Sequence, residues 1–213
     1  MSEKDLYLAA ILAGDRQAAI DVALGVVDRG GPVGDLYVEV LQESLYEVGR
    51  LWESNRISVA VEHLATGITQ VVLARLYEHL PRSTASRGRI VLTGIEGELH
   101  QVGGHMVADT LESDGWEVRF LGTDVPVPEV LVALGEHHPE VLGISCTMLQ
   151  NVPKAALLIG SVKATFQESS PRIIVGGGAF RTDPRKVAEI GADGWAPDLR
   201  SVASVVRSLS KTA

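Results

Sequence analysis

Through the first 80 residues, apolar positions recur every three or four residues, the period of a buried helix face. Leu6, Ala9, Ala10 and Leu12 begin one such face. Asp15 is placed to N-cap a second helix, which runs through Val27 and is stopped by Gly30-Gly31-Pro32. A third run, Leu36 to Trp52, carries Leu36, Val40, Leu41, Leu45, Val48, Leu51 and Trp52 at near-helical spacing. Ser58 can cap a fourth, in which Val61, Leu64, Ile68, Val71, Val72, Leu76 and Leu80 recur. Four helices with short connections predict a small bundle. The stretch from Pro81 to Gly88 is polar and small, and reads as a linker. Beyond it the period changes. Apolar runs at Arg89–Ile95, Glu117–Leu121, Val141–Cys146, Arg172–Val175 and Gly194–Ala196 predict strands. Between and after them, helical stretches are predicted at Val102–Ser113, Pro128–His137, Pro153–Phe166, Pro184–Ile190 and Leu199–Leu209. Five such units imply a parallel sheet covered on both faces and wound doubly by right-handed crossovers, in the flavodoxin-like or Rossmann-like manner. The expected organisation is thus α plus α/β: a four-helix bundle over residues 1–80, a linker over 81–88, and a five-stranded α/β domain over 89–213.

Composition narrows the function. Lys and Arg number 19 against 27 Asp and Glu, a net charge of −8. The first 80 residues hold 12 of the acidic side chains and 6 of the basic ones, so no basic footprint for direct nucleic-acid binding is present. A single cysteine, Cys146, can form neither an internal disulfide nor a cysteine zinc cluster. Leu6 to Ala13 lacks a basic flank, and no apolar run approaches the roughly 20 residues of a membrane span. The expectation is a cytoplasmic protein without membrane contact.

The first predicted strand runs into Gly94-Ile95-Glu96-Gly97-Glu98-Leu99-His100-Gln101-Val102-Gly103-Gly104. No Gly-Lys-Ser/Thr follows, and the glycine spacing is not that of a dinucleotide loop. The informative element is Glu98-x-His100-x-x-Gly103. A carboxylate two residues from a histidine can accept the Nδ1 proton and leave Nε2 as a metal ligand of raised basicity. A solvated loop histidine beside an acid fits the same residues. Two further elements reach the same sheet edge: Ser145-Cys146-Thr147 after the third strand and Gly176-Gly177-Gly178 after the fourth.

Together these three elements resemble the cobalamin-binding domain of methionine synthases, corrinoid methyl carriers and mutases. That family carries an Asp-x-His-x-x-Gly loop, a Ser-x-Leu about forty residues on, and a later Gly-Gly. Gly122, Asp124 and Pro126, and the late Gly191-Ala192-Asp193-Gly194, are similar to it as well. Glu98 stands in place of the Asp, and Thr147 in place of the Leu. The resemblance implies that His100 ligates cobalt from below, with Glu98 behind it. It also implies that the nucleotide tail of the cofactor enters a slot lined by Gly103, Ser145, Gly176 and Gly177, with Thr147 among the cofactor-binding residues.

In the helical half, Trp52 followed by Glu62-His63 resembles the cap of cobalamin-dependent photoreceptors, the light-sensing modules of some MerR-type repressors. Trp52 would serve as readily as a bundle core anchor, and Glu62-His63 as a surface pair. The resemblance implies adenosylcobalamin as chromophore, held from above by Trp52, Glu62 and His63, with photolysis rearranging the cap or a homo-oligomer, or signalling to a partner protein. Glu53 stands where those repressors carry a capturing histidine. Some related photoreceptors also hold a linear tetrapyrrole, for which no residue here speaks. A corrinoid protein carrying methyl groups for a methyltransferase system is the alternative, and a plain cobalamin-binding module a third. The sequence shows no second catalytic constellation, so the expectation is a binding or sensing module rather than an enzyme.

Overall fold

The computed structural model describes residues 1–210; the last three residues of the expected 89–213 domain lie outside the described residues. Two compact units form, one from Met1 to Pro81 and one from Arg82 onward.

The first unit is helical. Helix α1 (Glu3–Ala13) starts at Ser2, whose hydroxyl accepts from the Asp5 N–H while the Asp5 carboxylate accepts from the Ser2 N–H, a reciprocal capping box. Asp15 caps α2 (Arg16–Asp28) through the Ala18 N–H, as the sequence suggested. The third run is one continuous helical stretch in three parts: α3 (Val33–Leu36), a π-helical turn (Tyr37–Gln42) and α4 (Glu43–Glu53). The π turn is invisible in the sequence, because its buried Tyr37, Val40 and Leu41 keep the spacing of an ordinary helix face. Ser58 caps α5 (Val59–Leu76) through the Val61 N–H. Helix α5 packs on α1, α2 and α4. Inside the bundle, the Tyr7 hydroxyl donates to Thr69 Oγ1 (3.1 Å), which in turn donates to the Ala65 carbonyl (2.9 Å), so these two buried hydroxyls are paired. One sequence expectation changes here. With the short 3-10 turn that follows α5, Val59–His79 is long and apolar enough to cross a membrane by length and composition alone. Its helicity continues through Glu62, His63 and Arg75, which a scan for unbroken apolar runs cannot see. The apolar face of the helix, Ala65, Ile68, Val72, Leu73 and Leu76, is buried in the bundle.

The second unit is a five-stranded parallel sheet of order β2-β1-β3-β4-β5. Its strands are β1 (Arg89–Gly94), β2 (Glu117–Phe120), β3 (Val141–Ser145), β4 (Arg172–Gly176) and β5 (Gly194–Trp195). Helices α6 (Val102–Ser113), α7 (Val127–His137) and α8 (Val152–Phe166) make the crossovers, and α11 (Leu199–Ser210) closes the chain; α9 (Gly178–Thr182) and α10 (Arg185–Glu189) fill the last crossover. Each element was foreseen to within two residues except α9, a five-residue helix too short to show a period. Alternation along the strands divides the core. Val91, Ile95, Leu142, Ile144, Cys146, Ile173 and Val175 pack with α7, α8 and α9. The other face, including Gly94, Ser145 and Gly176, looks toward α6 and α11, as Gly194 shows by abutting the Leu209 side chain. The strand order reverses between β1 and β3, so the crevice over their carboxyl ends is where a doubly wound sheet binds its ligand.

Two neighbouring glycines at the end of β4 are predicted to respond oppositely to a methyl group. A Cβ on Gly177, at φ +103°, would lie 2.3 Å from the Cys146 carbonyl oxygen, whereas a Cβ on Gly176 would meet its nearest atom at 3.6 Å. Gly177→Ala is expected to lower the unfolding free energy by about 1–3 kcal/mol, the scale of a strained backbone position. Gly176→Ala is expected to cost less than about 0.5 kcal/mol. Urea unfolding of both variants checks the pair, and equal losses would refute the distinction.

Candidate functional site

Glu98 lies in the β1–α6 loop and is 2% exposed, the one charged residue that is buried among the described residues. Its Oε1 accepts from the Thr147 N–H (3.2 Å), the Met148 N–H (2.9 Å) and Asn151 Nδ2 (2.9 Å), all in the turn that leads from β3 into α8. Its Oε2 lies 2.9 Å from His100 Nδ1. One carboxylate therefore ties together the two loops that flank the switch point. Burial pushes its carboxyl pKa upward, but the hydrogen bonds from His100, Asn151 and the Met148 N–H, with the charge of His100, outweigh burial and hold it below its ordinary value of 4.5. An ionised Glu98 beside Nδ1 favours a proton on that nitrogen of His100, which is the arrangement in which Nε2 can act as a metal ligand. The imidazole side chain is 55% exposed, so a ligand can reach it.

The extra methylene of Glu98 has a use: it carries the carboxylate to the turn after β3. Thr147 contributes its backbone N–H. Asn151 and the Met148 N–H belong to this arrangement too and were not found from sequence, since an amide four residues beyond a short motif forms no pattern by itself.

Ser145 pairs in register with Gly94 on one side and Gly176 on the other, giving a row of small residues across the carboxyl ends of β1, β3 and β4. The row is not uniformly open. A Cβ on Gly94 would strike Thr123 at 2.6 Å, and Gly177 is closed by the Cys146 backbone. Nothing lies within 4 Å of a Cβ placed on Gly103, and the surroundings of Gly176 leave ordinary contact distance. Gly103, exposed in the first turn of α6, and Gly176, at the end of β4, are thus not closed by neighbouring atoms. Gly177, expected to line the same slot, instead lets two backbones approach. Cys146 is buried, and burial, with the nearby charge of Glu98, pushes its thiol up to about 12.

Among the described residues, no group of three or more His, Cys, Asp or Glu side chains could hold a metal ion by itself. A corrinoid would bring its metal already held by its own ring, so it would ask for no such cluster from the protein. The residues present fit such a group: one exposed imidazole oriented by a buried carboxylate, beside glycines that leave open space.

In the first unit, Trp52 ends α4 and is 43% exposed, so it is not the bundle core anchor it could have been. Glu62 and His63 form a hydrogen-bonded pair in the first turn of α5, and Glu62 also accepts from the Thr66 hydroxyl at 2.9 Å.

The fold and the match to family models together define the class of protein. Residues 88–203 match the B12 binding domain model, and residues 4–77 match a second model of the same description; the chain belongs to the B12-binding domain family. Its curated relatives are corrinoid proteins. Trimethylamine corrinoid protein 1 of Methanosarcina acetivorans is 26% identical over 218 residues, covering 98% of this chain and 99% of that one. The fold matches that of the Methanosarcina barkeri monomethylamine corrinoid protein with a TM-score of 0.88 at 20% identity, over 97% and 98% of the two chains. It also matches a chain of the methanol:cobalamin methyltransferase complex MtaBC of Methanosarcina barkeri, with a TM-score of 0.51 at 20% identity over 99% and 80%.

These matches overturn the light-sensing expectation. Relatives aligned over the length of the chain are corrinoid proteins named for methylated amines, and nothing among them supports a photoreceptor or a tetrapyrrole. Trp52, Glu62 and His63 are three side chains at helix ends, a pattern too short to outweigh likeness along the whole chain. The cofactor class, a cobalamin or related corrinoid, stands; its adenosyl form does not follow from it.

Glu98→Gln tests the carboxylate. The folded-state pKa lies below the ordinary 4.5, so ionised Glu98 stabilises the fold above about pH 4.5 and that contribution is lost as pH falls through the folded value. At pH 7 the variant turns an amide N–H₂ toward buried donors and is expected to be less stable by about 1–3 kcal/mol. Its stability should fall less steeply than the wild type between pH 5 and pH 3. Parallel curves in acid titrations of urea unfolding would show that Glu98 does not carry this dependence.

Proposed function

We propose that this chain is a corrinoid protein that carries methyl groups within a methyltransferase system, with a methylated amine as the source. The observation that carries the reading is the Glu98–His100 pair at the switch point of a chain whose relatives match it from end to end. When bound, the corrinoid supplies a cobalt atom that can accept and surrender a methyl group. His100 is the proposed lower ligand. Glu98 keeps the proton on Nδ1 and, by staying ionised, raises the donor strength of Nε2. The Thr147 and Met148 N–H groups and the Asn151 amide hold the carboxylate still, so the imidazole is oriented before the cofactor arrives. Gly103 and Gly176, with Ser145, are proposed to line the slot for the nucleotide tail, and the cofactor contacts expected of Trp52, Glu62 and His63 belong to the same proposal. The partner class that fits is a methyltransferase rather than a nucleic acid or a light-signalling protein. The cytoplasmic setting proposed with it agrees with a single unpaired cysteine.

Two measurements test the reading. Loaded with reduced cobalamin and incubated with a methylamine methyltransferase and isotopically labelled mono-, di- or trimethylamine, the protein is expected to retain label after gel filtration. Retention from none of the three amines would overturn the amine reading. Gly103→Leu is expected to keep the circular dichroism of the wild type while weakening cobalamin binding at least about tenfold, since a buried cofactor surface must displace the new side chain. Undiminished binding would remove Gly103 from the slot.

A further inference from the structure

The loop that bears His100 is held from a second side. Three consecutive residues of the β2–α7 turn touch it. The Gly122 carbonyl accepts from the Gly94 N–H at 2.8 Å, and the Thr123 side chain fills the space over Gly94. The Asp124 carboxylate accepts from the Gly97 N–H at 2.7 Å. Lys154, from α8, adds a bond to the Glu96 carbonyl at 3.1 Å and lies 2.5 Å from where a Cβ on Gly97 would stand. Asp124 makes its contact from a left-handed backbone conformation, φ +58°, which side chains other than glycine seldom adopt and which Asp and Asn tolerate best. Glu98 grips the loop from the β3 side; Asp124 grips it from the β2 side, one residue before Glu98. The Gly122-x-Asp124 element, which the sequence singled out without a role, thereby acquires one.

We propose that Asp124 is a positioning residue for His100: its bond to the Gly97 N–H fixes the start of the Gly97-Glu98-Leu99-His100 segment, and so sets the share of bound cobalt that the imidazole ligates. The inference rests on His100 being the lower ligand. Asp124 touches neither metal nor ring, and its action passes through the loop backbone.

Two substitutions separate the carboxylate from the backbone conformation. Asp124→Gly keeps the left-handed conformation and removes the acceptor. Asp124→Asn keeps the conformation and an acceptor oxygen. Each protein, prepared with ¹⁵N-labelled histidine, is loaded with cob(II)alamin, and its electron paramagnetic resonance spectrum is recorded. Splitting by ¹⁵N marks ligation by a protein histidine, and splitting by ¹⁴N marks the cofactor's own base. The wild type and Asp124→Asn are expected to show ¹⁵N splitting throughout. Asp124→Gly is expected to lower the ratio of histidine-ligated to histidine-free cobalt about five- to tenfold, the scale of one charge-assisted hydrogen bond. A wild-type ratio in Asp124→Gly overturns the proposal, as does an equal loss in Asp124→Asn. His100→Ala serves as the separate control: if it keeps the ¹⁵N splitting, or if the wild type lacks it, the ligand assignment itself fails and the role of Asp124 with it.

Discussion

A carboxylate taken out of water must be met by donors on every side or it unfolds what surrounds it. Glu98 is met in that way, by two backbone N–H groups, one amide and one imidazole. The site depends on this one group. Because its donors come from the turn after β3 and its own backbone belongs to the loop after β1, the two loops cannot shift independently. The histidine that projects from the assembly is therefore set by the sheet, although it sits on an exposed loop.

The doubly wound topology explains why those two loops are neighbours at all. β1 and β3 lie side by side, yet the chain leaves them in opposite directions, to β2 on one flank and to β4 on the other. No crossover helix covers the crevice between them. The register then aligns Gly94, Ser145 and Gly176 across three strands, and the absence of large side chains along that edge is a property of the row rather than of any single residue.

Much of this could be read in the sequence because it rests on spacing. The caps at Asp15 and Ser58, the strand and helix alternation, and the Glu98-x-His100-x-x-Gly103 loop are all local signals. What could not be read depends on contacts between distant positions. The three donors to Glu98 lie some fifty residues away from it, and only folding shows that Gly177 serves backbone approach while Gly103 leaves space. The light-sensing reading built on Trp52, Glu62 and His63 failed differently: a short set of residues was given a specialised function that likeness along the whole chain does not support.

The state of Cys146 has a bearing on chemical self-protection. It is the one thiol of the protein, buried beneath the crevice and held protonated by its surroundings, with its pKa pushed up to about 12. Thiolates are among the best acceptors of alkyl groups that a protein possesses, and thiols are poor ones. A chain proposed to carry a transferable methyl group thus keeps its one thiol in the unreactive form.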